Sequence, residues 1–423
     1  MAVAGLRLPP PARFAAIVPV LVLCALTVAV LAIRRPDQFT HPYVFLEDGQ
    51  IMRSYAQHGV SAVFGLINGF PNLISRVITV TSFKLSALNA PAIGVALTTV
   101  FTAFVVLCVY FSPTHLRARF VCAAIPLLIP TGPENFAVPL MTFWWAGLLI
   151  FLALIWRDGH QGWRIFFILL GGLSSAVVIP LSGLFAIRAL LERRRSEWIA
   201  AGAATACALL NAVTGLIYAA GTPPVPPKTD WILLGIAKFV GWFTSSAFMM
   251  PHIMPRIFLA WGVATLIFFL LLILASRRRL DCHFALLVAA LVLVSLATIL
   301  RAPMETMHVY FAGSRYFFYQ FIIIGWLLAW IAAETRGVLR MAAAGTLAFS
   351  ILQGFAEPTF RWRHEHWYWK AQIRACAAAP EYDVPIHYMG GNVNPHNGGI
   401  TWYVHMTGAE CRGLIANSLF GKG

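Results

Sequence analysis

The sequence predicts an all-α polytopic membrane protein, and three observations carry that expectation. Hydrophobic residues make up 59% of the chain and charged residues only 11%, against about 25% charged in ordinary soluble domains. Apolar stretches long enough to cross a bilayer as helices recur along the whole length. No run alternates apolar and polar residues as barrel strands do. Mean hydropathy is +0.76. A backbone in lipid satisfies its polar groups internally, so helices are the default.

Apolar segments fall at 14–33, 91–111, 120–130, 136–156, 165–175, 176–190, 198–220, 256–275, 283–300, 315–333 and 339–355, giving about eleven transmembrane helices, two of the segments being too short to cross alone at 1.5 Å per residue. Arg7 and Arg13 precede the first. It is long enough to span, and no small-residue cleavage site follows it, so it reads as a first membrane helix and not a removed leader. The stretch 72–90 carries Arg76 and Lys84, charges that a lipid-exposed span does not tolerate cheaply. A re-entrant or interfacial helix is expected there, and again at 231–250 after the Pro223–Pro227 turn. Gly171, Gly172, Ser174, Ser175 and Pro180 interrupt 165–190, which reads as a pair of short helices broken at Ser174–Ser175.

The pair makes the charge map consistent. Loops near 112–119, 157–164, 188–197, 276–281 and 334–340 are short and dense in arginine, among them Arg117, Arg157, Arg194, Arg278 and Arg340. Such loops are cytoplasmic by the positive-inside rule. The N-terminus then lies inside. The longer loops at 34–71, 131–135, 221–255 and 301–314 lie outside, with the tail from 356. The net charge of +15 reads as loop orientation and contact with anionic lipid, and nucleic acid is set aside as a partner. The division expected is a membrane domain over 1–355 and a small external region over 356–423. Trp362, Trp367, Tyr368 and Trp369 open that region as an interfacial belt. Its remainder is too short for a strong core of its own.

Of seven cysteines, Cys24, Cys108, Cys122, Cys207 and Cys282 lie in or beside apolar stretches and read as small core residues. Cys376 and Cys411 lie in the polar tail and are a disulfide candidate in an oxidising compartment. His364 and His366 lack a second ligand pair at metal-site spacing, and no metal is assigned.

The outer loops hold the carboxylates of interest. Glu47 and Asp48 are adjacent, Glu134 sits between two spans, and Glu305 precedes His308 by nearly one turn. Arg53, Arg76, Lys84, Arg256, Arg301 and Arg315 face the same side. Arginine grips phosphate through a planar, bidentate fork. Carboxylates with arginines in an outward cavity suit transfer from a lipid-linked phosphate, one carboxylate taking the acceptor proton and the arginines holding the departing charge. Blander roles compete: helix capping for Glu134 and headgroup contact for Arg76 and Arg315.

Several local patterns together resemble the GT-C superfamily of integral membrane glycosyltransferases, in a bacterial branch. They are Leu46-Glu47-Asp48-Gly49 after the first span, Asn68-Gly69-Phe70-Pro71 running to Arg76, Gly132-Pro133-Glu134-Asn135 ahead of Trp144–Trp145, Gly172-Leu173-Ser174-Ser175 ahead of Pro180, and Ser314-Arg315-Tyr316-Phe317. The resemblance covers most of the membrane region in order and leaves out the tail. It implies a polyprenyl-phosphate sugar as donor, an envelope glycan or lipid as acceptor, and periplasmic transfer with inversion at a bacterial inner membrane. Asp48 matches the expected base, with Glu47 beside it. Arg76, Arg301 and Arg315 match donor phosphate contacts. Glu134, Asn135, Glu305, His308 and Tyr316 are the substrate-binding candidates. Superfamily members act mostly without metal, some use a divalent ion at the acidic site, and no cofactor is assigned. Two other classes compete: a transporter or flippase of lipid-linked sugars, and an assembly protein without chemistry.

Overall fold

A computed structural model describes residues 10–45, 47–157, 159–221, 232–245, 255–277, 281–302, 314–355, 368–387 and 401–420. The chain forms helices α1 (Pro10–Arg34), α2 (Pro36–Thr40), α3 (Asp48–His58), α4 (Leu73–Leu85), α5 (Ala90–Phe111), α6 (Arg119–Leu128), α7 (Thr142–Leu154), α8 (Gln161–Ser174) and α9 (Val178–Glu192). It continues as α10 (Arg195–Ala220), α11 (Ile232–Ser245), α12 (Pro255–Ser276), α13 (Cys282–Arg301), α14 (Phe318–Glu334) and α15 (Gly337–Gln353). The tail holds α16 (Trp369–Ala378), strands β1 (Glu381–His387) and β2 (Thr401–Thr407), and α17 (Gly408–Ala416).

Among the described residues six helices, α1, α5, α10, α12, α13 and α14, are long and apolar enough to cross a membrane, which makes the chain a multi-pass membrane protein. α10 turns Leu209, Val213, Leu216 and Ile217 outward, as a lipid-facing helix does. α14 is buried on all sides, as a helix at the centre of a membrane bundle should be. The other apolar segments are shorter helices: α6, α7, α8, α9 and α15 each fall below the ~20 residues of a full span.

The long segment between α6 and α7 shows why α6 and α7 are short. Pro130, Pro133 and Pro139 lie in that segment, where they remove backbone donors and end helices. The carbonyls this frees are answered by two buried arginines that follow the first span. Arg34 donates to the carbonyls of Ile129 (2.9 Å), Thr131 (3.1 Å) and Gly354 (3.0 Å). Arg35 donates to the carbonyl of Phe136 (3.0 Å) and pairs with Asp37 at 2.9 Å. Non-helical backbone in a membrane protein needs internal partners of this kind.

α8 stops at Ser174 and α9 begins at Val178. Pro180 sits in the first turn of α9, where its missing N–H costs nothing. The two helices run antiparallel. Arg164 at the start of α8 and Arg188 near the end of α9 both reach Glu197 at the start of α10, at 2.6 and 3.1 Å. Their far ends meet at the Ser175–Val177 tip.

The arginine-dense loops gather on one face. Thr114 pairs with Trp156 across a β-bridge, Arg117 with Glu334 at 2.5 Å, His115 with Asp281 at 3.5 Å, and His283 with Glu192 at 3.5 Å. The other face collects the ends of α1, α6 and α15 through Arg34. It also collects α11, whose Phe243 carbonyl accepts from Ser350 near the end of α15 (2.7 Å).

The tail belongs to this second face. β1 and β2 form an antiparallel hairpin with Val384 opposite Val404, and a disulfide joins Cys376 to Cys411, Cα atoms 5.9 Å apart. Val384, Ile386, Val404 and Met406 share one apolar cluster with Ile51, Met52 and Tyr55 of α3. The approach is close at Gly49, where a Cβ would lie 2.8 Å from Val404 and 2.9 Å from Ile386. Trp369 donates to the Ala87 carbonyl (2.9 Å), and the Leu419 N–H to that of Lys84 (2.8 Å). The tail thus completes its core on the segment between α1 and α5.

Candidate functional site

A cavity of about 530 Å3 opens among these second-face elements. Ile67, Asn68, Phe70 and Asn72 form one wall ahead of α4; Leu140, Met141, Phe143 and Trp144 at the head of α7 form the next. The α8–α9 tip contributes Ser175, Val177 and Pro180. Thr298 and Arg301 end α13 on the opposite side, and Arg315, Tyr316 and Tyr319 complete the ring. Most of the lining is apolar, and the polar groups are few and convergent, as in small-molecule sites generally.

Each polar group is held by local structure. Arg315 and Tyr316 sit in a 3-10 turn, Ser314–Phe317, that leads into α14, and Tyr319 lies in the first turn of α14. The Tyr319 hydroxyl lies 2.9 Å from Ser175 Oγ, which ties α14 to the hairpin tip. Its ring reaches there because residue 147 is glycine: a Cβ on Gly147 would collide with the Tyr319 hydroxyl. Trp144 packs against Tyr319 with ring centroids 4.9 Å apart. Arg315 lies 3.8 Å from Glu134 and stacks over the Tyr316 ring at 5.4 Å.

The adjacent carboxylates divide. Glu47, just before α3, lines the cavity. Its Oε1 accepts from Asn68 at 3.4 Å, and Oε2 has no hydrogen-bond partner among the described residues. Glu47 is close enough to Arg315 to interact electrostatically with it. Asp48, the first residue of α3, is buried at 2% exposure and does not line the cavity. Its oxygens accept from Thr79 Oγ1 (2.8 Å) and from the Leu140 N–H (3.2 Å). Burial pushes its carboxyl up to about 7, with the Glu47 charge adding to the rise and the two hydrogen bonds opposing it. Asp48 therefore ties α3 to α4 and to the head of α7, directly behind Glu47.

The other candidates separate likewise. Arg301, Arg315 and Tyr316 line the cavity, and Glu134 touches it through Arg315. Arg76 does not line it; its guanidinium donates to the carbonyls of Ala62 and Leu66, passing over Gly65. The Asn135 carbonyl accepts from Trp145 Nε1 at 2.7 Å, and its buried side chain lies off the cavity. Glu305, His308, His364 and His366 lie outside the described residues. Tyr319, Thr298 and Asn72 are cavity residues that the sequence reading did not single out. Its four-residue spacing from Arg315 is the one sequence signal for Tyr319.

Comparisons with protein-family models, with curated proteins and with solved structures each returned no match.

Proposed function

We propose that this chain is a glycosyltransferase that moves a sugar from a polyprenyl-phosphate donor to an envelope glycan or lipid, with inversion. The observation that carries the reading is the meeting of Glu47, Arg301 and Arg315 on one apolar-walled cavity. The arginine-dense face is cytoplasmic by the positive-inside rule, with about eleven membrane passes. The N-terminus is then inside, and the cavity and tail face the periplasm of a bacterial inner membrane. The apolar lining suits a prenyl chain, and the arginines suit its phosphate.

In this reading the cavity-facing Glu47 is the base, and Asp48 positions it. Glu47 Oε2 takes the proton of the acceptor hydroxyl as that oxygen attacks the anomeric carbon. The bond from the anomeric carbon to the phosphate oxygen breaks, its electrons leave with the phosphate, and Arg301 and Arg315 hold the charge. Tyr316 and the Glu134–Arg315 contact fix the fork.

The test is turnover of polyprenyl-phosphate sugars by the purified protein beside Glu47→Gln and Asp48→Asn. Transfer is expected to fall at least ~100-fold in Glu47→Gln, the usual share of a general base, with donor binding kept, and less in Asp48→Asn. Full transfer by Glu47→Gln removes the role. Binding without turnover in the wild type favours a lipid-linked sugar carrier instead.

A further inference from the structure

On the face away from the cavity, we infer that His115, Asp281 and His283 form a binding site for a divalent transition metal of the zinc class, with Cys282 as a fourth donor. His115 lies in the loop between α5 and α6, and the other three open α13. The two histidines and the aspartate each offer a ligand atom, and those atoms all lie within 4.8 Å of one another. His115 Nδ1 is 3.5 Å and His283 Nδ1 3.9 Å from Asp281 Oδ2. Cys282 Sγ lies 3.5 Å from the same His283 nitrogen and is exposed. Two imidazoles, a carboxylate and a thiol are the donor types zinc prefers. A tetrahedral ion sets its donors about 3.3–3.8 Å apart, close to the 3.5 and 3.9 Å between the histidine nitrogens and Asp281 Oδ2.

The surroundings are those of a metal site. Asp281 Oδ1 is fixed by the Phe284 N–H (3.0 Å) as the cap of α13, which leaves Oδ2 turned to the histidines. His283 presents Nδ1 inward and Nε2 to Glu192 Oε1 at 3.5 Å. Glu192 is itself held by Arg188 at 2.7 Å. A carboxylate behind a ligating histidine fixes its tautomer and raises its basicity. Two described cations act on the histidines, Arg157 on His115 and Arg188 on both, and Arg188 is paired with both Glu192 and Glu197. The imidazoles now stack face to face, with centroids 3.4 Å apart and planes 12° apart. Parallel rings aim their nitrogens side by side, so binding splays them. The ion would clip the α5–α6 loop and the end of α9 to the start of α13.

Co2+ titration of the tag-free, EDTA-treated full-length protein in detergent tests this, followed by visible absorption and displaced by Zn2+. The expected result is one equivalent per chain with ligand-field bands. Binding should weaken at least tenfold in His115→Gln and in His283→Gln, and Cys282→Ser should lose the sulfur-to-cobalt charge-transfer band. Zn2+ should raise the wild-type thermal midpoint and leave that of His115→Gln/His283→Gln unchanged. No saturable 1:1 binding by the wild type, or binding that survives the double change, overturns the site. The wild-type titration decides even where a variant fails to fold.

Discussion

The clamp that makes α8 and α9 a hairpin can be taken apart residue by residue. Arg164 grips Glu197 with both forks, at 2.6 and 2.7 Å. Arg188 adds a contact of 3.1 Å to the same carboxylate. Arg164 is fully buried and Glu197 is 4% exposed. Glu197→Leu leaves Arg164 charged with no acid and Arg188 with only Glu192. Breaking one side of a buried pair costs about 3–5 kcal/mol. Arg164→Met strands Glu197 with Arg188 alone and should cost a similar amount. The double change Arg164→Met/Glu197→Leu removes both buried charges and leaves Arg188 on Glu192. Its loss should fall short of the summed single losses by at least ~2 kcal/mol, within the coupling seen for residues in one network. Equilibrium unfolding in mixed micelles measures the cycle. Additive losses, or single losses below ~1 kcal/mol, would refute the hairpin clamp, because an unshared or solvated pair behaves that way.

Three further outcomes follow from the same structure. Cys376 and Cys411 stand 35 residues apart, and closing a loop of that length stabilises by about 4 kcal/mol in the chain-entropy picture; reduction or Cys376→Ala/Cys411→Ala should expose the tail to limited proteolysis, and unchanged resistance contradicts it. Gly49→Leu should undock the tail from α3, since even a Cβ there crowds Val404 and Ile386, and proteolysis again reads the result. The folded-state carboxyl of Asp48, pushed up to about 7 by burial, binds its proton more tightly than the unfolded chain does. Stability from this group is therefore greatest at low pH, declines as pH rises from about 4 towards 7, and levels above that. Asp48→Asn should flatten the decline, and an equally steep profile in the variant contradicts it.

Charge and composition made the two-faced arrangement legible. The arginine loops meet on one face because each joins neighbouring helices at the same end of the bundle, and Arg117 with Glu334 is one such meeting. The break between α8 and α9 was legible in Gly171, Gly172 and Pro180, since Gly172 packs its bare Cα against Cys207. Which member of the acidic pair faces the cavity was not. Successive residues at a helix start point about 100° apart, and only Thr79 and Leu140, distant in sequence, decide that Asp48 turns inward. Arg76 reads as a phosphate ligand in sequence because nothing local reveals that Ala62 and Leu66 need a donor. The Arg34–Arg35 contacts and the nearness of His115 to His283 are tertiary facts of the same kind.

Equilibrium binding of polyprenyl phosphate, the moiety common to every candidate donor, tests the cavity most directly. Saturable binding by the wild type is expected, weakened at least tenfold by Arg315→Gln, abolished by Arg301→Gln/Arg315→Gln, and kept by Glu47→Gln and Arg76→Gln. Absence of binding, or binding indifferent to Arg301 and Arg315, would contradict the assignment of this cavity to a lipid-linked phosphate.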